Sequence, residues 1–330
     1  MNGNEPKIEI FTPFGAGYEW MKTVLFRPFD AGKWFVIAFA AFLSGAQGGG
    51  FNPGQLGRLA PGDWKYQKTT HGNVPTDWNF TPWIVGLAIA VVLFALVLAI
   101  VWMWISSRGR FIFTDCVVKN RAAIAEPWRE YRREGNSFFV FSLLVGALSL
   151  VLVALTVVAI VLPLGGFSGS RTLSDAASVV LVVIVIVFGL IWFALIVFWT
   201  LVSHFMIPVM YRRRCAAKEA FGDVAKLIFG NPGPFVLFVL FMLVLAIAVA
   251  IVGSTVACMT CCIGALPYIS TVLLLPAFVW LAAFRLLFLR QFGDQYDVWA
   301  TVAVPEPTAA PPAPPIENLP PSPPPPPPAL

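Results

Sequence analysis

The chain has 330 residues, 58% hydrophobic and only 12% charged, with a formal net charge of +5. So few charges cannot cover a soluble protein of this length, and no compact basic domain exists to carry a nucleic-acid footprint. The composition points to a lipid bilayer, whose hydrocarbon core of roughly 30 Å is crossed by about 20 apolar residues of helix.

In chain order, Glu5, Glu9, Glu19 and Asp30 come before any apolar core, which argues against a cleavable signal peptide. Tyr18, Met21, Val24 and Leu25 form an amphipathic stripe ended by Pro28, because proline cannot continue the helical ladder. The first apolar segment, 33–47, is the weakest. Only Trp34 to Leu43 is fully apolar, and the whole rises about 22 Å, which fits a thin span, a tilted span helped by its flanks, or a half-helix. A Gly-rich loop follows, with Trp64, Tyr66, Trp78 and Trp83 suited to a membrane interface and a glycosylation sequon at Asn79.

The second segment, 83–107, has no charge and reaches roughly 37 Å as helix, enough to cross with some tilt. Arg108 to Glu134 is charged, with a rougher stripe of Phe113, Cys116, Val117, Ala123 and Ile124 ended before Pro127. Segments 138–162 and 178–207 come next, and Pro208 predicts a bend before Arg212. Cys215 to Phe229 is the best amphipathic helix. Ala217, Ala220, Phe221, Val224, Leu227 and Ile228 share one face, and Lys218, Glu219, Asp223 and Lys226 the other. Asn231-Pro232-Gly233-Pro234 stops it. Segments 235–253 and 268–289 complete the set, the last kinked at Pro276. Residues 301–330 form a disordered Pro-rich tail; 14 of the 28 prolines lie beyond Val304.

Three times, then, a charged amphipathic stretch precedes two apolar segments. With six spans, 18 of the 22 Lys and Arg fall on one side, which places both termini in the cytoplasm. The amphipathic stretches fit two arrangements: helices lying at the headgroup boundary, or connecting helices packed on the ends of the spans. Unit spacing is compatible with an internal repeat whose copies enter the membrane in the same sense.

Residues able to carry chemistry are few. Cys258, Cys261 and Cys262 have C-x-x-C spacing but no second ligand pair; small side chains packing a tight turn explain them better. His204 and Arg285 are the ionisable groups within reach of the apolar spans, and both are expected to snorkel to the cytoplasmic interface. No nucleophile arrangement or phosphate-cradling loop stands out. No catalytic, cofactor or metal site is expected.

The stretches SRGRFIFTDCVVKNRAAIAEPW at Ser107 to Trp128, CCIGALPYISTVLLLP at Cys261 to Pro276 and FLRQFGDQYDVW at Phe288 to Trp299 carry a resemblance. Together they resemble an uncharacterised bacterial family of six-span membrane proteins, distantly similar to the membrane domain of glycerophosphoryl diester phosphodiesterases. The resemblance covers about residues 15–300. It implies fold and location, and no catalytic residue, because the phosphodiesterase enzyme domain has no counterpart here.

The expectation is an all-α, polytopic transmembrane bundle of six spans with cytoplasmic interfacial helices, in the bacterial inner membrane. Residues 1–300 form the membrane domain and 301–330 the tail. The leading function is a non-enzymatic scaffold or accessory subunit. Its partners would be membrane lipids, and proteins met through the Pro-rich tail and interfacial helices, with no nucleic acid. The alternative is a channel or carrier for a lipid-like or uncharged solute.

Overall fold

A computed structural model describes residues 8–45, 82–161, 175–260 and 266–301. These residues are all-helical, with no strand among them. The helices are α1 (Phe11–Phe26), α2 (Ala31–Leu43), α3 (Pro82–Val118), α4 (Ala125–Glu130), α5 (Arg132–Val161), α6 (Asp175–Arg213), α7 (Ala217–Gly230), α8 (Pro232–Met259), α9 (Pro267–Leu273) and α10 (Leu275–Arg290), followed by short 3-10 turns.

Four of them, α3, α5, α6 and α8, are long and apolar enough to cross a membrane. Along their shafts the large apolar side chains are exposed: Leu93, Leu144, Leu190 and Val244 are all more than half accessible. Such a continuous apolar surface is stable against lipid and not against water. This supports a membrane protein with several crossings. The helices also outrun the limits expected from the apolar runs. The segment expected to end at residue 107 continues to Val118, and the fourth continues through Pro208 to Arg213. Neighbouring helices make an internal proline tolerable at such a place.

The remaining two apolar segments are short. The helix at the first runs over Ala31–Leu43, with Asp30 capping its start through bonds to the Gly32 and Lys33 amides. The last is a broken helix: Leu274 leaves helical geometry, and Pro276 sits in the first turn of α10. The kink expected at Pro276 is therefore an interruption between α9 and α10. Helix α2 is bound to α9 by Trp34 Nε1, which donates to the Val272 carbonyl at 3.1 Å, and by Tyr268, which donates to the Phe35 carbonyl at 3.2 Å.

The lower ends of the long helices converge on a packed base built with α1, α2, α4, α7 and α10. An aromatic cluster holds it: Phe205 of α6, Phe235 and Phe238 of α8, and Phe284 and Phe288 of α10 are all buried. Helix α1 lies along α10. Gly17 sits against Phe284, where an added Cβ would come within 3.0 Å of the backbone nitrogen. Trp280 Nε1 donates to the Phe14 carbonyl at 3.0 Å. The Glu9 amide donates to Gln291 Oε1, and Gln291 Nε2 to the Glu9 carbonyl, both at 2.8 Å.

Around the base lies an ionic girdle. Asp115, fully buried near the end of α3, accepts from Lys119 Nζ at 2.8 Å, from Arg121 Nε at 3.0 Å and from the Tyr211 hydroxyl at 3.0 Å. Tyr211 stacks on Tyr131 at 4.8 Å, and the Arg214 guanidinium lies 3.9 Å from the centre of the Tyr131 ring. Burial pushes the Tyr131 phenol up to about 12, so it stays neutral beneath that cation. Arg214 also pairs with Glu130, and Arg213 with Asp223. Much of the charge between Arg108 and Arg214 is thus spent inside the protein, joining α3, α4, α5 and α6.

Among the described glycines the tightest is Gly109, where an added Cβ would lie 2.6 Å from the carbonyl carbon of Leu43. Backbone cannot yield as a flexible side chain can. Gly109→Val is expected to force α2 off α3 and destabilise the protein by about 1–3 kcal/mol or more. Thermal unfolding in detergent measures this, with Gly86→Val, at a site open to the surroundings, as the control that should shift far less.

Candidate functional site

Between α3, α5 and α6 the shafts enclose a cleft of about 760 Å³. Its walls are three helical stripes. Ala99, Met103, Ser106 and Arg110 come from α3, then Ser142, Gly146 and Ser149 from α5, and Trp192, Leu195, Trp199 and Ser203 from α6. The spacing of three, four and seven residues is that of one helix face. Small residues on α5 leave the volume open: an added Cβ at Gly146 would meet nothing within 4 Å. The outer rim is apolar and exposed, with Leu148 at 57% and Ile196 at 58% accessible, so the cleft opens onto the apolar outer surface of the helices. Trp192 Nε1 donates to Thr156 Oγ1 at 3.2 Å and ties α6 to α5 beyond the wide end. Trp102, also on the wall, has its indole N–H buried without a hydrogen-bond partner among the described residues.

The opposite end is basic. Arg110 and Ser203 also line a second cavity, of about 120 Å³, together with Thr114, His204, Pro208 and Arg285. Arg285 Nη1 donates to His204 Nδ1 at 2.7 Å. A guanidinium has no acceptor, so this bond requires an unprotonated Nδ1 and leaves the proton on Nε2 as a further donor. Arg285 Nε donates to the Leu281 carbonyl at 3.2 Å. Arg110 rests over the Phe138 ring at 5.3 Å. Neither arginine pairs with a carboxylate among the described residues. The hydroxyls nearby are already committed: Ser203 donates to Thr200 and Thr114 to Arg110, both to backbone carbonyls of their own helices.

The neighbouring Arg108 marks the contrast. It lies between the Trp104 and Trp128 rings, at 4.4 and 5.0 Å, and donates to Asn136 Oδ1 at 2.8 Å. It is fully engaged and structural, whereas Arg110, half a turn further along, faces a cavity.

His204 and Arg285, each expected to snorkel alone, are brought into direct contact by α6 and α10. Arg110 was not singled out by sequence reasoning, although it continues the Ala99, Met103, Ser106 stripe. Cys258 is exposed and free, while Cys261 and Cys262, the Asn79 sequon and the Pro-rich tail lie outside the described residues. The apolar face of α7 is turned into the base through buried Ala217, Ala220, Val224 and Ile228, and the Ala217 amide donates to Ser137 Oγ of α5 at 3.0 Å. Met21, Val24 and Leu25 of α1 are buried in the same way.

A family model described as "Family of unknown function (DUF7544)" matches residues 12–305, and the chain belongs to that family. No curated protein and no solved structure matches the chain. These comparisons give no link to the membrane domain of glycerophosphoryl diester phosphodiesterases.

Proposed function

We propose that this member of the family is a non-enzymatic component of the bacterial inner membrane that takes a lipid-like molecule from the surrounding leaflet into the cleft. The observation that carries this reading is the 760 Å³ cleft itself, apolar along its walls and open to hydrocarbon on one side. Its size falls within the range of roughly 300–1,000 Å³ usual for ligand sites. Six crossings with both termini inside, the arrangement that the Lys and Arg distribution favours, would make α2 and the α9–α10 pair two short crossings beside the four long helices. A scaffold acting through its interfacial helices is less well supported, because the apolar faces of α1 and α7 are already buried against the protein's own base.

Native mass spectrometry of the full chain released gently from membranes tests the reading. The wild type is expected to retain one lipid per protein. Gly146→Trp, which fills the cleft from a position with room for its Cβ, is expected to lose it while keeping its thermal unfolding temperature. Equal occupancy in the two proteins overturns the cleft as the binding place. Reporter fusions test the topology independently, with cytoplasmic signals expected at Arg132 and Ala217 and the opposite at Lys68 and Arg171.

A further inference from the structure

We infer that the molecule accepted by the cleft is a phospholipid of net negative charge, its phosphate seated among Arg110, Arg285 and His204. This rests on the reading of the cleft as a lipid site and names the chemistry of its basic end.

The argument begins with uncompensated charge. Two guanidinium groups line one small cavity, without a carboxylate partner among the described residues. A cation so placed is costly unless something pairs with it. Several of the protein's other arginines are paired. Arg121 has Asp115 and Glu126, Arg214 has Glu130, and Arg108 has two indole faces and an amide oxygen. Arg110 and Arg285 share one cavity, and the partner that cavity lacks is an anion.

The donor set defines that anion. The arginine fork matches phosphate oxygens, and guanidiniums arriving from α3 and α10 engage different oxygens of one tetrahedral group. The Arg285 contact leaves His204 Nε2–H as a neutral third donor. Three donor side chains lining one cavity suit a phosphate better than a carboxylate, which has two oxygens.

The shape argues for a lipid rather than a free ion. Arg110 and Ser203 belong to the walls of both cavities, so the basic pocket adjoins the apolar cleft. The lining runs from Ala99 to Arg110 on α3, from Phe138 to Leu152 on α5 and from Trp192 to Ser203 on α6. At 1.5 Å per residue these stretches measure roughly 16–21 Å. That is about half of the 30 Å hydrocarbon core, the depth of one leaflet. All three stretches have their basic or buried end at the same level. An amphiphile standing in one leaflet, its chain in the cleft and its headgroup at Arg110, fits that polarity.

The test is lipid retention by the full-length protein in mixed detergent micelles, read by native mass spectrometry. Equal amounts of phosphatidylglycerol, diacylglycerol and oleate are offered, with and without inorganic phosphate. The wild type is expected to retain phosphatidylglycerol over diacylglycerol by about tenfold or more, the scale of charge-assisted hydrogen bonds. Inorganic phosphate should not displace it. Arg110→Gln with Arg285→Gln should abolish the preference, so that phosphatidylglycerol and diacylglycerol are retained to the same extent, and His204→Ala should weaken it several-fold with less risk to folding. Gly146→Trp should lose both lipids. Equal wild-type retention of phosphatidylglycerol and diacylglycerol overturns the headgroup assignment and leaves the cleft reading standing. Preference for oleate overturns the phosphate. Displacement of the lipid by inorganic phosphate overturns the lipid as its source. Retention of no lipid at all overturns the cleft reading itself.

Discussion

Replacing Asp115 by alanine is expected to destabilise the protein by about 3–5 kcal/mol, the cost of breaking a buried ion pair from one side. The carboxylate is fully buried and gathers Lys119, Arg121 and Tyr211. Without it, two cations and a buried hydroxyl lose their acceptor together. Glu126 and Glu130 remain near Arg121 and Lys119 and recover part of the loss. Asp115→Asn, which keeps an acceptor oxygen and loses the charge, should fall between the two. Tyr211→Phe removes only the neutral donor and should cost about 1 kcal/mol. Unfolding midpoints in detergent measure all three. An Asp115→Ala midpoint equal to that of Tyr211→Phe would show that the girdle contributes no more than one ordinary hydrogen bond.

Phe288→Ala should be of similar size, about 3–5 kcal/mol for a large aromatic removed from a packed core. The ring is fully buried, with the centres of Phe238 at 4.6 Å, Phe292 at 5.4 Å and Phe235 at 5.7 Å. It joins α10 to α6 and α8, so the void cannot close by moving one helix alone. Phe288→Leu retains part of the volume and should cost less. Exposed Phe193 on the lipid-facing shaft of α6 is the control, and Phe193→Ala should change the unfolding midpoint little.

Much of the architecture was legible in the chain, for a simple reason. Runs such as Phe235 to Val252 have one stable environment, and helix is the structure that satisfies their backbone within lipid. The errors concern where those helices stop. Arg108 reads as the start of a loop because a charge ordinarily leaves the bilayer there. It stays on α3 because Trp104, Trp128 and Asn136 receive it, and two of those partners lie beyond the helix. The candidate site was less legible. His204 and Arg285 are separated by 81 positions and meet only through the packing of α6 on α10. No local pattern announces that contact. Arg110 resembled any basic residue marking a cytoplasmic loop, and its distinction is the cavity it shares with His204 and Arg285. The amphipathic faces of α1 and α7 were visible as periodicity, but periodicity does not say whether protein or lipid covers a face. The burial of Val24 and Val224 assigns those positions to protein.

The clasp of α1 on α10 sets a condition on synthesis. Glu9 and Gln291 lie 282 positions apart and bond reciprocally. At a ribosomal rate of about 5–20 residues per second, α1 waits roughly 14–56 s before its partner is made. Throughout that interval Met21, Val24 and Leu25 have no α10 to cover them, while the intervening spans enter the bilayer one after another. The first helix made is thus among the last to be seated. Its seating registers that the final helix has arrived.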